Sequence, residues 1–195
     1  MSLALFLIFG SASLVSAASI ITSGGQLVGA RGVEVGSVSL DFDIVDGTCA
    51  SVFNGCDEPG DFFFTDPTFA ADAMFALRDQ VFLDGPAGNF DSDPNLTLGC
   101  EVGSDDCGVF APVAGASLGP DFVAAVGFLN RPDDQRDDRT AGAAPRFVNT
   151  DQLTWAVFSD ASVAAVPLPS SLALLLGSLL FPLVLTRKRA VNQAA

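Results

Sequence analysis

The chain has 195 residues, with 23 Asp and Glu against nine Lys and Arg, no His, and a formal net charge of −14 at pH 7. So acidic a surface repels nucleic acid and anionic lipid, and the lack of His removes Ser-His-Asp and Cys-His catalysis, His-ligated zinc and imidazole acid–base chemistry. All 23 acids and six of the arginines fall between residues 18 and 165, a net −17 on one domain's length of chain, which suits saline surroundings and attracts cations.

Residues 3–9 are a short apolar core, and Val15-Ser16-Ala17 supplies the small residues that signal peptidase needs, so residues 1–17 read as a secretory signal peptide. No Lys or Arg precedes that core, so the amino terminus alone supplies its positive charge. Residues 18–162 then form an exported acidic ectodomain. Within it, residues 26–47 read as strands. Val38, Leu40, Phe42 and Ile44 alternate with Ser39, Asp41, Asp43 and Val45 at the two-residue period of a half-buried strand, and Asp46-Gly47 is a turn signal.

Cys49/Cys56 and Cys100/Cys107 form two matching pairs, each with six residues between. In an exported protein an even count indicates disulfides. Two local bridges are favoured because both intervening segments are turn-like, Asn54-Gly55 in one and Gly103-Ser104-Asp105-Asp106 in the other. Each would close a loop of eight residues and stabilise by roughly 2–3 kcal/mol in the chain-entropy picture. Pairing between segments, such as Cys49–Cys100, is the alternative. A zinc site on all four cysteines is disfavoured, because metal knuckles hold about two to four residues between ligands.

Residues 67–83 read as the one clear helix. Asp66 can cap it, Pro67 suits its first position, and Ala70, Met74, Leu77 and Val81 recur at helical spacing; Asp84-Gly85-Pro86 ends it. Asp91-Ser92-Asp93-Pro94-Asn95 places oxygen ligands at alternate positions, as the start of a calcium loop does, so Asp91, Asp93 and Asn95 are the metal candidates. The pattern then fails: Leu96 stands where the EF-hand loop needs Gly, and Val102 where it needs Glu. The same residues are ordinary turn formers. Val109–Val113, Phe122–Leu129 and Leu153–Ser159 read as further strands, with Trp155 in the core. Asn130–Arg146 reads as a long polar loop, in which Asp133, Asp134, Asp137 and Asp138 flank Arg136 and Arg139, either to bind cations or to form exposed ion pairs worth little, with a solvated loop the favoured reading. The fold class expected is α+β, a small antiparallel sheet with one covering helix, plus an N-terminal signal peptide and one C-terminal transmembrane helix.

Val163–Thr186 carries no charge and is long enough for a helix to span a bilayer. Arg187-Lys188-Arg189 follows and should stay on the cytoplasmic side, with residues 190–195 as a cytoplasmic tail. At the start of the span, Pro167 and Pro169 hold Val166-Pro167-Leu168-Pro169-Ser170 extended. This order of Pro motif, apolar span and basic cluster over residues 163–189 resembles the PEP-CTERM sorting signal of exosortase substrates in Gram-negative bacteria. Leu168 stands where Glu is commonest, as in the Val-Pro-Leu-Pro-Ala variant, with Ser170 in place of its Ala. The resemblance implies that a membrane-embedded exosortase recognises the tail and cleaves near Val166–Ser170. The product is released or attached at the cell surface, often where extracellular polysaccharide is made. Val45–Cys49, Asp79–Pro86 and Leu153–Val157 also resemble small exported proteins that carry such tails, which adds no catalytic residue.

The function expected is therefore that of a non-catalytic cell-surface or extracellular-matrix protein without a cofactor. It is anchored in the inner membrane by its C-terminal helix until processed, and its partners are signal peptidase, exosortase and extracellular polysaccharide. Two alternatives belong to other classes: an exported hydrolase working through paired carboxylates on polysaccharide, and a calcium-dependent adhesion module. An Asp or Glu buried in a cleft would favour the hydrolase.

Overall fold

The computed structural model describes residues 17–100, 103, 106–115, 118–132 and 137–161. All but the last residue of the expected signal peptide, the apolar span, the sorting residues Val166–Ser170 and Arg187–Arg189, and Asp133, Asp134 and Arg136 lie outside them. In chain order the elements are β1 (Ser19–Ser23), β2 (Gln26–Val35), β3 (Val38–Val45), α1 (Cys49–Val52), α2 (Pro67–Val81), β4 (Asp84–Gly85), β5 (Gly88–Asn89), β6 (Cys107–Pro112), β7 (Phe122–Asn130), β8 (Asp138–Pro145) and β9 (Leu153–Asp160). Short 3₁₀ turns occupy Pro59–Asp61 and Pro94–Leu96.

Seven strands make one sheet in the order β1-β2-β3-β9-β6-β7-β8, and β4 and β5 form a separate two-residue hairpin. The α+β class and the dominance of antiparallel pairing agree with the sequence reading; the size does not. The sheet is large, and β9 runs parallel to β6 while antiparallel to β3. β9 thus joins two antiparallel meanders, β1-β2-β3 and β6-β7-β8.

Both faces of the sheet are covered. On one, α2 packs against β2, β6 and β7. Its cap forms as the sequence implies: Asp66 accepts from the Thr68 N–H at 2.8 Å, Pro67 opens the first turn, and Ala70, Met74, Leu77 and Val81 are buried. The helix ends at Val81, two residues before the expected boundary. Its core partners include Leu40, Phe42, Val109, Phe128 and Phe158. Gln80 near its end completes the sheet. β1 pairs with β2 only as far as Arg31, and the Gln80 side chain stands in for the missing strand at Glu34, accepting from its N–H at 3.0 Å and donating to its carbonyl at 2.8 Å.

The other face is covered by the segment around α1. Trp155, Val123, Ala125 and Ala144 point to this side and pack with Cys49, Phe53 and Cys56. Trp155 is fully buried, and its indole N–H donates to the Gly47 carbonyl at 3.0 Å.

One expectation is overturned here. Residues 130–146 are not a loop throughout: 138–145 form β8, paired with β7 without a break from Phe122↔Pro145 to Leu129↔Asp138. Thr140-Ala141-Gly142-Ala143-Ala144 carries almost no hydrophobic periodicity because Ala and Gly bury little area; its strand character comes from backbone bonds to β7. Among the described residues no helix is long and apolar enough to cross a membrane.

Candidate functional site

The Cys49–Cys56 loop is built from the turn outward. Gly47 takes φ of 150°, Thr48 caps α1 by accepting from the Ser51 N–H at 3.2 Å, and Asn54 and Cys56 adopt positive φ, so the chain reverses tightly enough to bring the two Cα atoms to 5.7 Å for the disulfide. Cys100 and Cys107 are bonded to each other at the same Cα separation. Both bridges are local, the pairing that the turn-like segments favoured, and among the described residues no cysteine is free. Phe53, inside the first loop, meets Trp155 edge-on with ring centres 5.7 Å apart.

Arg146 pins this loop to the sheet. It lies just past β8, and its backbone N–H donates to Asp121 at 2.9 Å while its carbonyl accepts from Ala50 at 3.0 Å. Its guanidinium donates to the Gly55 carbonyl and to the Pro120 carbonyl, each at 2.8 Å, and meets the Asp57 carboxylate at 3.2 Å. The Phe147 ring lies 4.9 Å from it. Asp57 and Glu58 are ordered in turn by Asp61, whose carboxylate accepts both their N–H groups and is held below its usual range by them. A pocket of about 300 Å³ opens beside this clamp, lined by Cys56, Asp57, Phe62, Pro120, Phe122 and Arg146 among others. Its walls mix aromatic, proline and small-residue surface with the Asp57–Arg146 ion pair.

A second cluster sits at the opposite end of β8. Asp137 is 8% exposed, and its carboxylate accepts the Arg131 N–H at 3.0 Å. Burial pushes its carboxyl up to about 6; the nearby Asp91 carboxylate adds to the rise, while the Arg131 N–H and the charges of Arg78 and Arg131 oppose it. Asp91 is itself raised, first by burial and then by Asp84. Asp84 is held low, mainly by the Ser92 N–H and hydroxyl and also by the Asp91 N–H. Asn130 is fully buried between them in sequence, donating its amide to the Phe90 carbonyl at 2.7 Å.

The sequence-nominated calcium oxygens are deployed in turns. Asp93 accepts from the Asn95 backbone and side-chain N–H groups at 3.2 and 3.0 Å, and Asn95 accepts from Gly103 at 3.0 Å. Asp91 lies in the carboxylate cluster instead. Among the described residues no group of three or more Asp, Glu, Cys or His side chains is arranged to hold a metal ion. Asp137, expected in a solvated loop, is buried because β8 begins at the next residue and folds it under the Arg131 backbone. Asp41, expected on the open face of β3, is also buried. It accepts from Gly32 at 2.9 Å at the β2 bulge and lies 3.8 Å from Arg31. Arg146 escaped notice in the sequence; its one signal is that it is a lone cation closing a run of small neutral residues. No family model, no curated protein and no solved structure matches the chain.

Proposed function

We propose that the protein is an exported, non-catalytic cell-surface or extracellular-matrix protein, sorted by an exosortase through Val166–Ser170, the apolar span and Arg187-Lys188-Arg189. The observation that supports this best is the pair of local disulfides, each buried against one face of the same sheet, which suits an oxidising compartment. The intact mass of the mature protein tests it, taken from cells with and without a functional exosortase. A species running from Ala18 to near Val166–Ser170, about 4 Da light for two disulfides, is expected only where the enzyme works. A C-terminus at Ala195 in both strains overturns the sorting reading.

One observation favours a second reading, hydrolysis of extracellular polysaccharide: a buried carboxyl, Asp137, that accepts the Arg131 N–H at 3.0 Å and is pushed up to about 6 by burial, with the Asp91 carboxylate adding to the rise. Release of reducing ends from the cells' own polysaccharide by the wild type and not by Asp137→Asn supports it. No release by the folded wild-type protein removes it.

A further inference from the structure

β8 is one of the two edges of the sheet, and the two edges differ. β1 is five residues long and has a register shift between Ile21 and Thr22, features that discourage edge pairing. β8 has eight residues in unbroken register, and Ala141, Gly142 and Ala143 at its centre are exposed and uncharged. The Arg146 N–H bonds to Asp121 of the β7 side, which fixes the parity of the strand: residues 144, 142, 140 and 138 bond inward, and 139, 141, 143 and 145 turn their backbone groups outward. The bond from Val113 to the Ala124 carbonyl on the other side of β7 fixes the same parity independently. Proline stands at 145, an outward position where no inward bond is lost. Beside this edge, past the strands that α2 covers, the same face opens into a groove of about 450 Å³ lined by Pro67, Leu118, Val126, Ala141 and Ala143.

We propose that β8 pairs antiparallel with β8 of a second copy of this chain, about a twofold axis at Gly142. The outward groups specify a strand as occupant, and the strand's own sequence is self-complementary in this register. Ala141 and Ala143 of one copy exchange both backbone bonds with Ala143 and Ala141 of the other, while position 139 meets 145, where proline ends the ladder. Gly142 faces its own copy in the close, non-bonded pair, where the absence of side chains lets the strands approach. The net −17 of each ectodomain opposes the association, so it strengthens as salt screens the charge.

Gly142→Cys in the full-length protein, in cells that export it, tests the pairing. A Cβ at this position meets nothing within 4 Å, so the domain accommodates it. The opposed Cα atoms would lie about 4.5 Å apart, within disulfide reach. A covalent dimer is expected on non-reducing gels, with peptide mapping showing the two introduced thiols bonded to each other and both native disulfides intact, and with a yield that rises with salt. Adding Ala141→Asp and Ala143→Asp, which oppose like charges, should cut the yield about tenfold. Ala141→Asp with Ala143→Arg, which oppose unlike charges, should restore it, separating lost pairing from lost folding. A monomer at Gly142→Cys, equal crosslinking from Thr22→Cys on β1, or a crosslink to a different protein would each overturn the proposal.

Discussion

Burying one carboxyl at the entry to β8 gives the domain a pH dependence. Asp137 has its folded pKa raised to about 6, against an unfolded value of about 3.9. The folded state therefore keeps a proton that the unfolded state releases. The contribution is present below about pH 4 and lost as pH rises through about 6, to the extent of roughly 1–3 kcal/mol. Asp137→Asn keeps the acceptor for Arg131 and removes the titration. Urea midpoints should fall between pH 4.5 and 7 by more in the wild type than in the variant; equal falls would place the dependence on other acids. Arg146→Met breaks the clamp at three acceptors and should destabilise by about 1–3 kcal/mol in urea unfolding, with Arg146→Lys recovering only part, since an ammonium lacks the fork that reaches Gly55 and Pro120 together. Calcium should raise the melting temperature by less than about 1 °C at millimolar concentration, because Asp93 and Asn95 already spend oxygens on turn N–H groups. At this scale the sequence is legible where a side chain has one environment open to it. Trp155 and the cysteines are large or reactive enough to be placed by type. Asp137 and Arg146 are not, since their roles depend on which backbone groups the fold brings beside them.

Elements were legible in proportion to their apolar periodicity. β3 and α2 announce themselves, because Leu40, Phe42 and Ile44 and then Ala70, Met74, Leu77 and Val81 repeat at the periods of strand and helix and are all buried. β8 has no such repeat, and α1 is one turn whose existence depends on the Thr48 cap and the disulfide. That loop gives an element-scale test. Cys49→Ser with Cys56→Ser should lower stability by about 2–3 kcal/mol, read from urea midpoints, and should expose Trp155 to fluorescence quenchers before global unfolding, since Phe53 and the two half-cystines are its lid. Unchanged quenching would show that the loop keeps its place over Trp155 without the bridge. Gln80→Ala strips the partner from both backbone groups of Glu34, a cost of about 1–2 kcal/mol, together with faster amide exchange at Glu34.

For the whole molecule, the sequence showed β2, β3, β6, β7 and β9 as strands but neither the two edge strands nor the strand order. Order depends on pairings between residues more than a hundred positions apart, such as Val45↔Trp155, to which local pattern is blind. The seventh strand in sequence that joins the large sheet, β9, lies at its centre, and Phe42 and Phe64 on one face and Phe53 on the other meet its side chains. Deleting Leu153–Asp160 should therefore abolish cooperative unfolding of the entire domain rather than trim an edge; a retained sharp transition would mean that one meander folds alone. Because β9 comes last in the chain and lies in the middle of the sheet, a chain that stops short of residue 153 has nothing to join β3 to β6 and leaves Leu40, Phe42, Val109 and Ala111 without their neighbour. Folding closes only when the last strand arrives, a few residues ahead of Val166. A truncated chain and a finished one thus present different surfaces to chaperones and proteases, so completion of synthesis is itself written into which strand sits in the middle.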